Sequence, residues 1–158
     1  MLKIAALILF AASLNAVAQT PSSSIDLPPG ANLLLSAKGK GVQIYSCTDG
    51  RWVLKAPDAK LLDAAGKQIG MHFAGPTWRL NDGSEVKGKA VGSQPSPDAR
   101  SVAWLLVQAI PDSGKGRFAT VTYIRRTNTS GGAAPKKACT GGTLSVPYQA
   151  DYTFYSDK

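Results

Sequence analysis

The chain carries one imidazole, and it sits in an unusual string: Met71-His72-Phe73-Ala74-Gly75-Pro76-Thr77-Trp78. A single histidine excludes any site that needs two imidazoles. It leaves open a Ser-His-Asp arrangement with distant partners, a general acid–base pair with a carboxylate, or a structural role. A histidine flanked by apolar residues is more often hydrogen-bonded within the fold than catalytic. No Gly-x-Ser-x-Gly elbow supplies a nucleophile, and Ser84 in Asp82-Gly83-Ser84-Glu85 reads as a turn residue. The carboxylates that could serve His72 as acid and base are Asp58, Asp82 and Glu85. A glycosidase needs two carboxyl groups facing one cleft. Asp82 and Glu85 straddle a turn, where both would point to water.

Two further patterns invite chemistry. Gly114-Lys115-Gly116-Arg117-Phe118-Ala119 formally matches Gly-x-Gly-x-x-Gly/Ala. That motif holds a dinucleotide only between a strand and a helix N-terminus. Here Pro111 precedes it and a β-prone run follows, so it reads as a hairpin loop and no cofactor is expected. Cys47 and Cys139 lack Cys-x-x-Cys spacing and have no histidine beside them in sequence, so a structural disulfide is the expectation and a metal site is not.

That expectation depends on compartment. Met1-Leu2-Lys3 leads into an apolar run from Ile4 to Ala12, and Ala16-Val17-Ala18 precedes Gln19. A basic start, a short apolar core and a small-x-small site form the pattern of a secretory signal peptide. The run is shorter than the ~20 residues a spanning helix needs, so no transmembrane segment is expected in the mature protein. Cleavage near Ala18 would deliver the chain to the periplasm or the outside, where thiols oxidise. A bridge there closes a loop of roughly 90 residues.

The elements that must position these residues are strands. Of 158 residues, 44% are hydrophobic and 18% charged, which excludes a disordered chain. Sixteen Gly and ten Pro argue against a helical bundle. Residues 19–30 form a Ser/Pro-rich leader, and 31–158 a single β domain. Within it, Ala31–Ala37, Val42–Cys47, Arg51–Lys55, Lys60–Asp63, Gln68–Ala74, Thr77–Leu80, Ser101–Ile110, Arg117–Thr127 and Thr143–Tyr155 read as β-prone, with turn signals between them. Val42–Cys47 alternates, placing Gln43 and Tyr45 on one face. Thr143–Tyr155 gathers Tyr148, Tyr152 and Phe154 on one face. Asn81-Asp82-Gly83-Ser84 is a strong hairpin signal. A short helix in 58–65 has little room between Pro57 and Gly66. The expected architecture is all-β, an antiparallel β-sandwich or barrel of about eight short strands with one disulfide.

The formal net charge is +8, spread along the chain without a clustered stripe. Nucleic-acid binding is therefore not expected. The partners left open are an anionic envelope polymer or a small ligand.

Read together, Tyr45-x-Cys47, Trp52-x-Leu54-Lys55-Ala56-Pro57, His72-Phe73-Ala74-Gly75-Pro76-Thr77-Trp78, Asp82-Gly83-Ser84, Trp104-Leu105-Leu106, Val121-Thr122-Tyr123-Ile124-x-Arg126, Thr129-x-Gly131-Gly132-x-Ala134-Pro135 and Val146-Pro147-Tyr148-x-Ala150-Asp151-Tyr152 occur in order. The chain thereby resembles the secreted bacterial and fungal family known as domain of unknown function 3455. The resemblance spans essentially the whole domain and implies no established activity. The residues themselves favour a non-enzymatic binding or cell-envelope interaction module, with His72, Trp78 and Trp52 as binding candidates. The alternative is a hydrolase of an envelope polymer using His72 and a carboxylate.

Overall fold

Eight strands close into one barrel in the computed structural model, which describes residues 24–157. They are β1 (Asn32–Thr48), β2 (Arg51–Leu62), β3 (Gln68–Phe73), β4 (Thr77–Leu80), β5 (Glu85–Gln94), β6 (Trp104–Ala109), β7 (Tyr123–Gly131) and β8 (Thr143–Ser156). Each pairs antiparallel with the next, and β1 pairs with β8 from Asn32↔Ser156 to Ser46↔Thr143. Of the two expected architectures the chain adopts the barrel. Closure satisfies backbone donors and acceptors that a sandwich would leave along its edge strands. The expected signal peptide (1–18) and the first part of the leader (19–23) lie outside the described residues. Ser24 to Gly30 form no strand, but Ile25 is buried and the Ser24 hydroxyl donates to the Ser93 carbonyl.

The strands are not all short. Two expected runs fuse into the 17 residues of β1, crossing Gly39 and Gly41. Glycine is needed there for close approach: a Cβ at Gly41 would stand 2.1 Å from the Asp58 carbonyl oxygen and 2.5 Å from Ala59 Cα. Two more runs fuse into the 12 residues of β2, so no helix forms in 58–65. Pro57 is tolerated because β2 pairs with β3 only from Ala59 onward, leaving residues 51–58 paired on one side. The Ile44/Tyr45 register shift, a bulge at Lys55, bends the strand just before it.

A second correction concerns Arg117–Thr127. Only from Tyr123 is it strand; Gly116–Phe118 is a 3₁₀ turn. Phe118 is fully buried there and stacks on Phe154, with ring centroids 4.6 Å apart. Plugging the lower end of the barrel with an aromatic ring, worth about 1.5–3 kcal/mol in burial, outweighs extending β7. At its other end β7 runs on through Asn128–Gly131, expected as loop, past a bulge between Thr127 and Ser130. The hairpin signal at 81–84 is borne out: Gly83 takes φ 86°, Leu80 N donates to the Ser84 carbonyl at 2.8 Å, and Asp82 Oδ1 accepts from Ser84 N at 2.9 Å.

The inner face carries the core. Leu61, Trp78, Leu80, Val86, Val107, Ile124, Tyr148, Tyr152 and Phe154 all face in, and Ala37, Ala59 and Ala150 make room for the rings. Tyr148, Tyr152 and Phe154 share the inward face, as their spacing in β8 requires.

At the upper end, the 132–142 connection folds over the barrel. Ser101 and Gly132 form a bridge between two connections, and the Cys47–Cys139 disulfide ties the end of β1 to the β7–β8 connection with Cα atoms 5.8 Å apart. The expected bridge is therefore formed. Cys139 N donates to the Gly50 carbonyl at 3.0 Å and Cys47 N to Gly142 at 3.0 Å, so the staple is backed by backbone bonds. The wall, by contrast, is incomplete at one place. The β3–β4 hairpin turns at 74–76, so among the described residues no strand joins the upper parts of β2 and β5. This notch is where the interior reaches solvent. Replacing Cys47 and Cys139 by Ser is expected to lower unfolding free energy by about 2–4 kcal/mol in urea denaturation. An unchanged midpoint would show that the backbone bonds suffice.

Candidate functional site: a cavity inside the barrel

His72 and Trp78 are Cα partners across the β3–β4 hairpin, so both side chains lie on the same face of the sheet. That face is the interior. The two rings stack with centroids 4.4 Å apart and an interplanar angle of 7°. Tyr152 meets both edge-on, at 5.1 Å from His72 and 5.9 Å from Trp78. His72 is 3% exposed, and its Nδ1–H donates to the Thr77 carbonyl at 2.9 Å. A carbonyl can only accept, so the proton sits on Nδ1 and Nε2 is left as an acceptor. Burial pushes the His72 pKa down to about 4; the Thr77 bond opposes this shift and the Arg126 charge adds to it. The imidazole is neutral at physiological pH.

Above this stack lies a cavity of about 410 Å³. Its walls are mostly apolar: Leu54 and Pro57 from β2, Pro76 from the β3–β4 turn, and Leu105 and Val107 from β6. Exposed Leu54, Lys55, Gly75 and Ala90 form its rim at the notch. Gln43, Arg126 and, at the rim, Lys55 line it besides His72 and Tyr152. Gln43 is 1% exposed, and neither its amide nitrogen nor its amide oxygen has a hydrogen-bond partner. Trp78 Nε1 is also unpartnered. Each orphaned polar atom costs about 1–3 kcal/mol in the folded state. Arg126, two residues beyond inward-facing Ile124, donates from Nε (3.0 Å) and Nη2 (2.7 Å) to the Ala103 carbonyl. Among the described residues no carboxylate lies within ion-pair distance of it.

The tyrosines nearby are held protonated. Tyr148 and Tyr152 share a hydroxyl–hydroxyl bond of 3.1 Å, and burial raises both pKa values. The Arg126 charge opposes the shift at each. Burial raises Tyr45 as well, and its hydroxyl donates to the Gly132 carbonyl at 2.5 Å.

Of the sequence candidates, the structure brings His72 and Trp78 together and sets Trp52 apart. Trp52 pairs with Cys47 on β1 and lies against Pro135–Ala138, outside the cavity lining. None of the three carboxylates lines the cavity. Asp58 is exposed on β2; Glu85 accepts from Arg79 Nε at 2.6 Å; Asp82 is held by Ser84 and approached by Arg117 at 4.0 Å. Among the described residues no three His, Cys, Asp or Glu side chains gather as metal ligands. Gln43 and Arg126 were not among the candidates. Their signal was strand alternation: Gln43 shares a face with Tyr45, and Arg126 with Ile124.

A family model described as "Protein of unknown function (DUF3455)" matches residues 28–156. The chain belongs to this family. No curated protein and no solved structure matches it. The match in this DUF3455 barrel takes in every strand and every residue of the cavity wall.

His72 has a thermodynamic signature. Its pKa is about 4 in the folded barrel against 6.5 for an unperturbed histidine. Between these values the unfolded chain binds a proton that the native one does not. The contribution is therefore complete above pH 6.5 and is lost as pH falls toward 4, by about 3 kcal/mol in all. His72→Phe is expected to remove that part of the pH dependence, read as the wild-type minus variant difference in urea stability at pH 7.5 and pH 4. An equal loss in both proteins would show that His72 does not titrate in this way.

Proposed function

We propose that this chain is an exported, non-enzymatic binding barrel that takes a small, largely apolar molecule into the cavity above His72 and Trp78. The observation that carries the reading is the Gln43 amide: a buried side chain with donor and acceptor both unsatisfied, facing an apolar cavity that opens at the notch. Buried polar groups are normally paired. A ligand bearing its own polar group would complete these bonds while its body displaces water from the apolar walls. Eight-stranded barrels are wide enough either to fill with side chains or to hold one small ligand. Here the lower half is filled, and the upper half is the cavity.

The formed disulfide supports an oxidising, exported location, in keeping with the signal-peptide pattern. Among the described residues no helix is long and apolar enough to cross a membrane. The hydrolase reading draws less support, because the nearest charge acting on His72 is the Arg126 cation and the cavity wall offers no carboxylate to work with the imidazole.

The test is titration with N-phenyl-1-naphthylamine, a neutral dye that brightens in apolar surroundings. One dye per chain is expected, with quenching of tryptophan emission from Trp78. Ala90→Trp, which fills the exposed rim, should weaken binding about tenfold or more while leaving the melting temperature unchanged. No dye binding by the wild type, or binding indifferent to Ala90→Trp, would refute the cavity as a site.

A further inference from the structure

Resting on that reading, we propose that the ligand is an organic anion: an acidic head group, such as a carboxylate, held by Arg126 and Gln43, on an apolar body that lies between the barrel walls and the rim at the notch.

The argument begins with charge. A guanidinium has five N–H donors and is always ionised. Arg126 spends two of them on the Ala103 carbonyl, and the Tyr152 hydroxyl feels its charge. A carbonyl and a hydroxyl are dipoles and do not neutralise a cation. The titratable groups that feel Arg126 are His72, Tyr45, Tyr148 and Tyr152, and all four are uncharged at neutral pH. Each other ion pair among the described residues uses a different cation: Lys38–Asp151, Arg79–Glu85, Arg100–Asp98 and Arg117–Asp82. Arg126 and Lys55 are the two cations of the cavity wall, and neither has an ion-pair partner among the described residues; Lys55 stands exposed at the rim, whereas Arg126 is partly buried on the inner face.

Arg126 is partly buried, so water solvates its charge incompletely, and the low-dielectric wall strengthens its attraction for an anion that reaches it. A cationic ligand would be repelled, and a neutral one would leave the charge uncompensated. A planar carboxylate fits the guanidinium fork, and its oxygens are pure acceptors. The Gln43 Nε2 donors supply further bonds from β1. Inorganic phosphate would satisfy the charge and waste the rest of the site, since Leu54, Pro57, Pro76, Leu105 and Val107 offer it no hydrogen bonds from their side chains. The ligand therefore needs an apolar body behind its acidic head. The His72 Nε2 acceptor suits a donor on that body rather than the head group itself.

The experiment displaces N-phenyl-1-naphthylamine from the wild-type protein with two probes of nearly the same shape, 2-naphthoate and 2-naphthamide, at neutral pH. The carboxylate is expected to displace the dye at a concentration at least about tenfold lower than the amide. In Arg126→Gln the two should displace it at equal concentration. If that variant does not fold, Arg126→Lys, which retains the charge, must keep the preference for 2-naphthoate. Equal displacement from the wild type, or a preference that persists undiminished in folded Arg126→Gln, overturns the anion assignment. Displacement by neither probe, while the neutral dye still binds, also overturns it and leaves the cavity reading intact. Failure of the dye itself to bind refutes both.

Discussion

The pairing of β1 with β8 is the constraint on which the rest of the molecule depends. It joins the first strand of the chain to the last along fourteen registered positions, and without it the sheet would be an open one with two long unsatisfied edges. Closure also defines an inside. Once the sheet is closed, every second residue of every strand points into a shared volume, and that volume must be filled, wetted or occupied. Gly39 and Gly41 leave room inside it: a Cβ would meet the Tyr152 ring at Gly39 and the β2 backbone at Gly41.

The interior is filled unequally. In the lower half, Phe118 folds in under Phe154, and Trp78, Tyr152 and Phe154 meet edge to face. These rings bury large apolar areas and fill the width that eight strands enclose. In the upper half Gln43, Arg126 and His72 share the space with the apolar walls of Pro57, Leu105 and Val107, and the wall itself stops short at the β3–β4 turn. A fold selected for stability alone would replace Gln43 and Arg126 with further aliphatic side chains. An unpartnered amide and an unneutralised cation beside a neutral imidazole form a local conflict within the core, and the proposed binding role rests on it. The disulfide matters to this arrangement, because it ties the end of β1 to the β7–β8 connection at the upper end.

Much of this was legible beforehand, for identifiable reasons. Alternation in Thr143–Tyr155 placed Tyr148, Tyr152 and Phe154 on one face, because the period of a strand is a local property. The Asn81–Ser84 turn was legible because a positive φ at Gly83 is chemistry confined to four residues. What misled was composition at positions where the whole barrel sets the terms. Gly39, Gly41 and Pro57 look like breaks in a linear reading, yet they lie inside long strands because neighbouring strands crowd or leave them. The run from Arg117 looks like a strand, yet Phe118 leaves the sheet because the barrel end needs a plug. A linear reading groups Trp52 with His72 and Trp78 because aromatic surface and the only imidazole could come together. They are separated because Trp52 lies at the far end of β2, beside the loop that carries Cys139.

By itself the amino-acid sequence determined an antiparallel all-β chain, its family, the pairing of its two cysteines and the prominence of the lone His72. These follow from side-chain periodicity, turn chemistry and the count of reactive groups, all of which are short-range or numerical. Tertiary structure alone decided that the sheet closes on itself, that Gln43 and Arg126 face the same space as His72 and Trp78, and that no carboxylate joins them. Such facts depend on strand register across residues more than eighty positions apart, as in Gln43 and Arg126, and nothing in local sequence encodes which distant side chains a closed barrel will turn toward one another.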